Sequence, residues 1–424
     1  MLFSFRDAAP RSVAAVSTCL AIAWLALPVR TAAAAGGLTL ADAVRRAVEN
    51  APQIEAGRAA IEAASQDLRR AGRLPDPMLA IGIADLPVSG RDAFDPDADA
   101  MTEKTIVLQQ GVPARAKRAA QRAVATRAVE LAMAEAGGTR LDVERAAANA
   151  WVGAWSAARE LEALGALRAQ AQLALRLTRA RAAGGGSALD VLAAEAAVLD
   201  LDGETAAAEG ASGEALAELQ RWVGDGTHSV ATDAPDFGRA PLAEAAALTA
   251  VDRQPALQAA AARTAAADAA LDAARAGRRP DWNVAASYGQ RSGFDDMLML
   301  EVGVSLPFFT RDRQGPDIAA RRAEQQGALA RQESLRRELA ARIRAGYSKW
   351  EGLRRQVEAH DQVLRLAGDR SAAALASYRA GGELRAWLDA RRDEVLTHRS
   401  HAQHRAALGR AWVELAYLYG EQAP

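Results

Sequence analysis

Ala71-Gly72-Arg73-Leu74-Pro75-Asp76-Pro77-Met78-Leu79-Ala80-Ile81-Gly82-Ile83-Ala84 is the stretch on which the fold turns. Residues 39–74 read as a helix, and Gly72, Pro75 and Pro77 break it. From Leu79 the apolar period becomes two: Leu79, Ile81 and Ile83 alternate with Ala80, Gly82 and Ala84. That pattern predicts a strand with one apolar face. Its partner is expected at Thr105–Val112, across the turn-rich Ser89-Gly90-Arg91-Asp92. The same switch returns later in the chain. Ala276-Gly277-Arg278-Arg279-Pro280-Asp281 repeats the break, and Asp281–Gln290 supplies a strand. After Arg291-Ser292-Gly293-Phe294-Asp295-Asp296, the residues Leu298, Leu300, Val302, Val304 and Leu306 alternate with Met299, Glu301, Gly303 and Ser305.

Working outward, the whole chain reads as two copies of one plan, offset by about 200 residues. Gly111-Val112-Pro113 has its counterpart in Ser305-Leu306-Pro307, and Arg181-Ala182-Ala183-Gly184-Gly185 in Arg379-Ala380-Gly381-Gly382. Arg221-Trp222-Val223-Gly224 is matched by Tyr417-Leu418-Tyr419-Gly420. The expected division is a leader at 1–35, a first repeat at 36–240 and a second at 241–424. Each repeat should hold a helix (39–74, 241–279), a β-hairpin, a long helix (114–183, 316–380) and a return helix (188–223, 384–420). Pro52 and Pro255 read as matching kinks in the first helices. At 1.5 Å per residue the long helices would each span roughly 100 Å. Ile343, Tyr347, Trp350, Val357 and Leu364 keep heptad positions, and Leu408, Trp412, Leu415 and Tyr419 sit at helical spacing.

Composition agrees with long helices packed closely. Half of the 424 residues are hydrophobic, with Ala dominant, while only 5% are aromatic. Arg6 and Arg11 precede an apolar run from Val13 to Val29 that ends near Ala33-Ala34-Ala35, the pattern of a secretory signal, so the mature chain is expected to begin near Gly36. Cys19, the one cysteine, lacks the residues that precede a lipidated cysteine, so no lipid anchor is expected. Removing this segment takes the net charge from −1 to −3 and leaves no basic surplus for a nucleic-acid partner. No later run is long and apolar enough to be a transmembrane helix, so any crossing must be made by strands.

Four strands of about ten residues are long enough to cross a bilayer tilted, but four cannot close. Unpaired edge groups cost several kcal/mol each in lipid, so chains should combine, and three would supply twelve strands. The expected fold is mainly α with a transmembrane β-barrel.

Leu74-Pro75-Asp76-Pro77-Met78-Leu79, Gln109-Gln110-Gly111-Val112-Pro113 and the repeated helix–Gly–helix tips resemble outer-membrane factors of the TolC family, over residues 38–420. The Leu-Pro-Asp-Pro form is most similar to the branch that serves heavy-metal exporters of the resistance-nodulation-division class. The resemblance implies a homotrimer in the outer membrane of a Gram-negative bacterium. It also implies a twelve-stranded barrel in outer-membrane lipid above a long antiparallel coiled-coil α-barrel in the periplasm. The partners implied are a periplasmic adaptor (membrane fusion) protein and an inner-membrane exporter, with heavy-metal cations as cargo and no cofactor. The adaptor would dock at the tips: Arg181, Gly184, Gly185, Ser187 and Leu189 in the first, Arg379, Gly381, Gly382 and Glu383 in the second. Asp190, six residues after Gly184, and Asp389, within Leu388-Asp389-Ala390, match the family's gate aspartates. The second tip departs from the pattern: it is about one residue shorter, and Glu383 stands where a basic residue is common, which leaves the family's closing salt bridge in question.

Each of these residues also has a plainer role. Ser187-Ala188-Leu189-Asp190 is an S-x-x-D capping box. His398, His401 and His404 spread over about 120 degrees of a helix and are weak metal candidates, but a polar stripe explains them better. Gly184-Gly185-Gly186-Ser187 lacks the phosphate-loop signature. No paired carboxylates, Ser-His-Asp set or zinc spacing stands out, so an enzyme is not expected. The competing readings are the same fold serving multidrug efflux or type I protein secretion, and a non-conducting periplasmic coiled-coil adaptor.

Overall fold

The computed structural model describes residues 37–418; the expected leader, Tyr419 and Gly420 lie outside them. The chain begins with α1 (Leu40–Asn50) and α2 (Pro52–Arg70), then β1 (Met78–Ala84), β2 (Glu103–Val112), α3 (Arg115–Ala183) and α4 (Ala188–Val223). After a connection come α5 (Glu244–Thr249), a single turn at Val251–Arg253, α6 (Pro255–Ala276), β3 (Trp282–Arg291), β4 (Met297–Val304), α7 (Gln314–Arg379) and α8 (Leu384–Ala416).

The two expected kinks are full breaks. Ala51 and Gln254 adopt extended backbone (φ −69°, ψ 121° and φ −62°, ψ 130°), and the proline after each opens a new helix. Proline excludes the helical region for the residue before it, while its own fixed φ suits the first helical position. In the second half the expected helix from 241 is therefore cut down to α5 and a turn before α6. At the end of α2, Gly72 takes φ +69°, and a Cβ there would meet the Arg118 carbonyl oxygen at 2.4 Å, so only glycine lets the chain turn so close to α3.

The strands form one antiparallel sheet in the order β1-β2-β3-β4. The two hairpins are thus joined edge to edge by β2 and β3, from Glu103↔Arg291 to Val112↔Trp282. Register sorts the side chains onto two faces. Ile81, Ile106, Tyr288 and Leu298 lie side by side in one row, and Leu79, Leu108, Ala286 and Leu300 in the next. This apolar face is open to the surroundings: Ile81 is 76% exposed and Leu300 74%. The other face is mostly small, polar or sulfur-bearing, with rows such as Gly82-Thr105-Gly289-Met297 and Gln109-Ala285-Glu301, and Val107 is its branched apolar member.

Below the sheet, α3 (69 residues) and α7 (66 residues) run the length of the helical part. Nearer the sheet, α2 packs on α3, α3 on α6 and α6 on α7; further away the order is α4, α3, α8, α7. The largest core lies where these layers meet. Trp151 and Trp155 stack at 6.3 Å, and Phe237 sits edge-on to Trp155 and to Trp412, at 5.6 Å from each. The Trp151 indole N–H is spent on the Leu38 carbonyl just before α1 (2.7 Å), and three others are spent on carbonyls of the connecting chain: Trp155 on Thr232 (3.1 Å), Trp350 on Phe237 (2.9 Å) and Trp412 on Arg239 (2.9 Å). Tyr347 likewise donates to Leu242 at 2.6 Å. The link between the halves is thereby fastened to α3, α7 and α8, and Gln220 of α4 donates to its Thr227 carbonyl at 2.7 Å.

The sheet meets the helices through Asp281. Its carboxylate accepts the Ala114 backbone N–H at 2.9 Å and pairs with Lys117 at 2.6 Å, and so caps α3 from the other half of the chain. Asp281→Ala is expected to lower stability by about 1 to 2 kcal/mol, the usual loss of a helix cap, and Asp281→Asn by less. Thermal unfolding in detergent measures both; equal stability of parent and Asp281→Ala would mean the contact does not fasten α3.

Candidate functional site

The tips turn as the glycine pattern predicts, one residue displaced in the first. There the left-handed residue is Gly185 (φ +99°) and not Gly184 (φ −93°); in the second it is Gly381 (φ +108°). The amides of Gly184 and Gly186 return to the Arg181 carbonyl, and that of Gly382 to Ser377, closing the ends of α3 and α7. Gly382 has no room for a Cβ, which would lie 2.7 Å from Ser377 Oγ.

Ser187 occupies the N-cap of α4, but its side chain makes no cap hydrogen bond, and Asp190 makes no hydrogen bond or ion pair among the described residues. The capping box is therefore not formed, because neither side chain reaches back over the first turn. Glu383 is the N-cap of α8, also without a side-chain bond, and Asp389 is exposed and unpaired. Leu189 is 76% exposed. Both gate candidates thus present free carboxylates near the tips.

What holds the two tips together went unseen in the sequence. Arg181 donates to the carbonyl oxygens of Tyr378 and of Arg379 (2.9 Å), and its guanidinium lies over the Tyr378 ring, 4.2 Å from the centroid. The Tyr378 hydroxyl donates to Thr178 Oγ1 at 2.9 Å, and Thr178 donates to the Ala174 carbonyl at 2.9 Å. Around them Ala174, Ala194, Tyr378, Leu384 and Trp387 form a small buried core. The signal was present: the series Trp350, Val357, Leu364 continues by sevens through the buried Ser371 to Tyr378.

Higher in the wall, α8 is tied to α3 by buried charge. Arg391 donates to Gln170 (2.8 Å), to the Leu167 carbonyl (2.8 Å) and to Glu394 (2.7 Å). Burial pushes the Arg391 pKa down and Glu394 offsets part of this. The three candidate histidines face separate partners. His398 is half-buried, and burial lowers its pKa, opposed by Glu394 and aided by His401 and Arg391. His401 Nε2 lies 2.7 Å from Asp361, and His404 Nδ1 lies 2.6 Å from the Ser400 carbonyl, its ring stacked on His360. Among the described residues no three His, Cys, Asp or Glu side chains gather where they could hold a metal ion.

This arrangement of sheet and long helices is shared with several solved outer-membrane proteins. A membrane protein of Pseudomonas aeruginosa superposes with a TM-score of 0.75 at 19% identity, over 90% of this chain and 92% of that one. The outer membrane protein VceC of Vibrio cholerae gives 0.72 at 18% identity, over 91% and 97%. The MtrE outer membrane channel of Neisseria gonorrhoeae, in its open state, gives 0.74 at 15% identity, over 91% and 89%. Residues 248–421 match the family described as outer membrane efflux protein. No curated protein sequence matches the chain.

Two measurements test the site. Arg181→Ala removes charge-assisted bonds worth about 1.5 to 3 kcal/mol each, so amide exchange across residues 174–194 and 374–390 should accelerate by about tenfold or more, with the sheet unchanged. Unaltered exchange there would mean the tie is not what holds the tips. For His398 the folded pKa lies below the ordinary 6.5, so the unfolded chain takes the proton first as pH falls. Its contribution is complete above that value and is lost as pH falls through it, and His398→Gln should flatten this part of a thermal-stability profile. A profile of unchanged slope would count against it.

Proposed function

We propose that the protein is the outer-membrane exit channel of a tripartite efflux pump, working as a homotrimer. The observation that carries this is the two-faced four-stranded sheet with both edges open, set above helical layers that are also open on both sides. Three copies joined edge to edge supply twelve strands, with the apolar face in lipid and the small, polar face around a water-filled lumen. The helical edges suit the same closure. On α4 the exposed Leu189, Leu192 and Leu199 follow the tip, and on α7 the exposed Val363 and Leu366 precede theirs. Leu199 and Leu366 each stand about fifteen residues, roughly 22 Å, from Gly184 and Gly381, so one copy's α4 can meet the next copy's α7 at the same level.

In this reading residues 1–35 direct export, the repeats at 36–240 and 241–424 form the two arms of each protomer's wall, and the helical part stands in the periplasm. The tips, from Arg181 to Leu189 and from Arg379 to Glu383, dock a periplasmic adaptor that links the channel to an inner-membrane exporter of the resistance-nodulation-division class. Heavy-metal cations are the cargo that the Leu74-Pro75-Asp76-Pro77 resemblance favours. The unpaired carboxylates of Asp190 and Asp389 agree with a cation path: threefold symmetry makes each a ring of three, and rings of carboxylates in a narrow pore attract cations.

Single-channel recording in planar bilayers tests the proposal. The parent should conduct with a cation preference, and Asp190→Asn with Asp389→Asn should raise closed-state conductance and reduce that preference. Asn keeps the size and helix compatibility of Asp, so stability should change by only a few tenths of a kcal/mol. Identical records from parent and double variant would move the gate elsewhere, and a parent that never conducts would end the channel reading.

A further inference from the structure

The rim where the sheet joins the helices carries an unbalanced charge. Arg73, Arg115, Arg278, Arg279, Arg311 and Arg313 all lie within a few residues of the helix-side strand ends or in the turn after β4; all are exposed, and none makes an ion pair among the described residues. Against them stand Asp76 and Asp312, with Glu301 on the other face of β4, while Asp281 is already held by Lys117. The opposite end of the sheet is reversed in sign: loop residues 85–102 and 292–296 contain seven aspartates and one arginine.

The basic rim is also greasy. The apolar column Leu298, Leu300, Val302, Val304 continues past β4, because the Ser305 N–H still donates to the Asp281 carbonyl at 2.9 Å and keeps Leu306 in step. The chain then turns at Pro307, leaving Phe308 77% exposed and Phe309 73% exposed, immediately before Arg311 and Arg313. Trp282, about half exposed, lies at the same end of β3. Aromatic rings beside unpaired cations, in continuity with a lipid-facing band, match the boundary where acyl chains give way to headgroups.

We propose that this rim is a docking surface for anionic phospholipid, of the phosphatidylglycerol class, in the membrane leaflet nearest the helices. Leu306, Phe308 and Phe309 lie at the acyl boundary, and Arg311 and Arg313 take the headgroup phosphate, with the other arginines adding to the field. The acidic loops repel the same lipid at the far end, so the preference is confined to one leaflet. The inference rests on the outer-membrane channel reading.

The test uses the full chain carrying Phe309→Cys with Cys19→Ser, labelled with a bimane fluorophore and reconstituted in phosphatidylcholine vesicles. Acyl-brominated phosphatidylglycerol or phosphatidylcholine is then added at equal mole fraction. The bromines quench a fluorophore only on contact, so preferential docking should make the anionic lipid the stronger quencher by about fivefold, the selectivity expected of one or two arginines at an anionic surface. Adding Arg311→Gln and Arg313→Gln should leave quenching in place but bring the two lipids together. Equal quenching by both lipids in the parent overturns the proposal, as does loss of the difference when inorganic phosphate is added, which would assign the site to a free oxyanion. A labelled protein that conducts but is not quenched by either lipid also overturns it. A protein that neither inserts nor conducts removes the channel reading on which the proposal stands.

Discussion

Open edges govern this protomer from end to end. β1 and β4 each leave one side of the backbone ladder without a partner among the described residues, and in the proposed membrane setting no water is present to take its place. The helical layers end the same way, at α2 and α7 near the sheet and at α4 and α7 near the tips. An isolated chain with this shape would expose a row of strand amides and carbonyls together with leucines on two helix edges. Because the unmet edges lie at the two sides of every layer, a single head-to-tail contact can satisfy sheet and helices at once. A heterologous contact of this kind closes into a ring when the rotation between copies allows it.

The proposed assembly needs each copy to be stiff, and alanine-rich helices do not provide stiffness by side-chain bulk. Alanine allows close approach and costs no side-chain entropy, but it buries little area for each residue. The protein compensates by concentrating large side chains where the layers meet. Trp151, Trp155, Trp350 and Trp412 fill that level, and each uses its indole N–H to fasten chain outside the helices, the segment before α1 or the link between the halves. Two glycines show how tight the fit is: a Cβ on Gly37 would lie 2.3 Å from the Val230 backbone, and one on Gly409 would lie 2.8 Å from Val152. The connection between the repeats is therefore part of the core, although its composition reads as loop.

The division between what the sequence disclosed and what it hid follows the range of the interactions. Changes of period and glycine or proline punctuation are local, so the strands, the long helices and the tips were legible to within a few residues. Pro52 and Pro255 were seen but misread: a proline inside a helical pattern fits a kink or a fresh start, and the extended backbone of Ala51 and Gln254 decides for the latter. The pairing of β2 with β3 joins segments more than 160 residues apart, and nothing in either strand names the other. The Arg181–Tyr378 contact spans 197 residues, and its arginine looked like an ordinary tip residue. The histidine stripe was legible as a stripe, but its partners Asp361 and His360 lie on another helix, so only packing could show that the three side chains have different surroundings.

In the proposed channel the tip tie would let a closed end be both firm and releasable. Arg181 spends its hydrogen bonds on backbone carbonyls and its charge on an aromatic face, and consumes no carboxylate. Had it paired with Asp190 or Asp389, that carboxylate would be neutralised within the chain and lost to contacts with any other. The carbonyl tie instead binds α3 to α7 within one chain while the carboxylates stay available to cations, to basic groups of a neighbour or to an adaptor. Stiffness within the tip and its free charge are thereby carried by different groups, so in the proposed trimer a partner that engages the carboxylates would open the ring without unfolding the hairpins that form it.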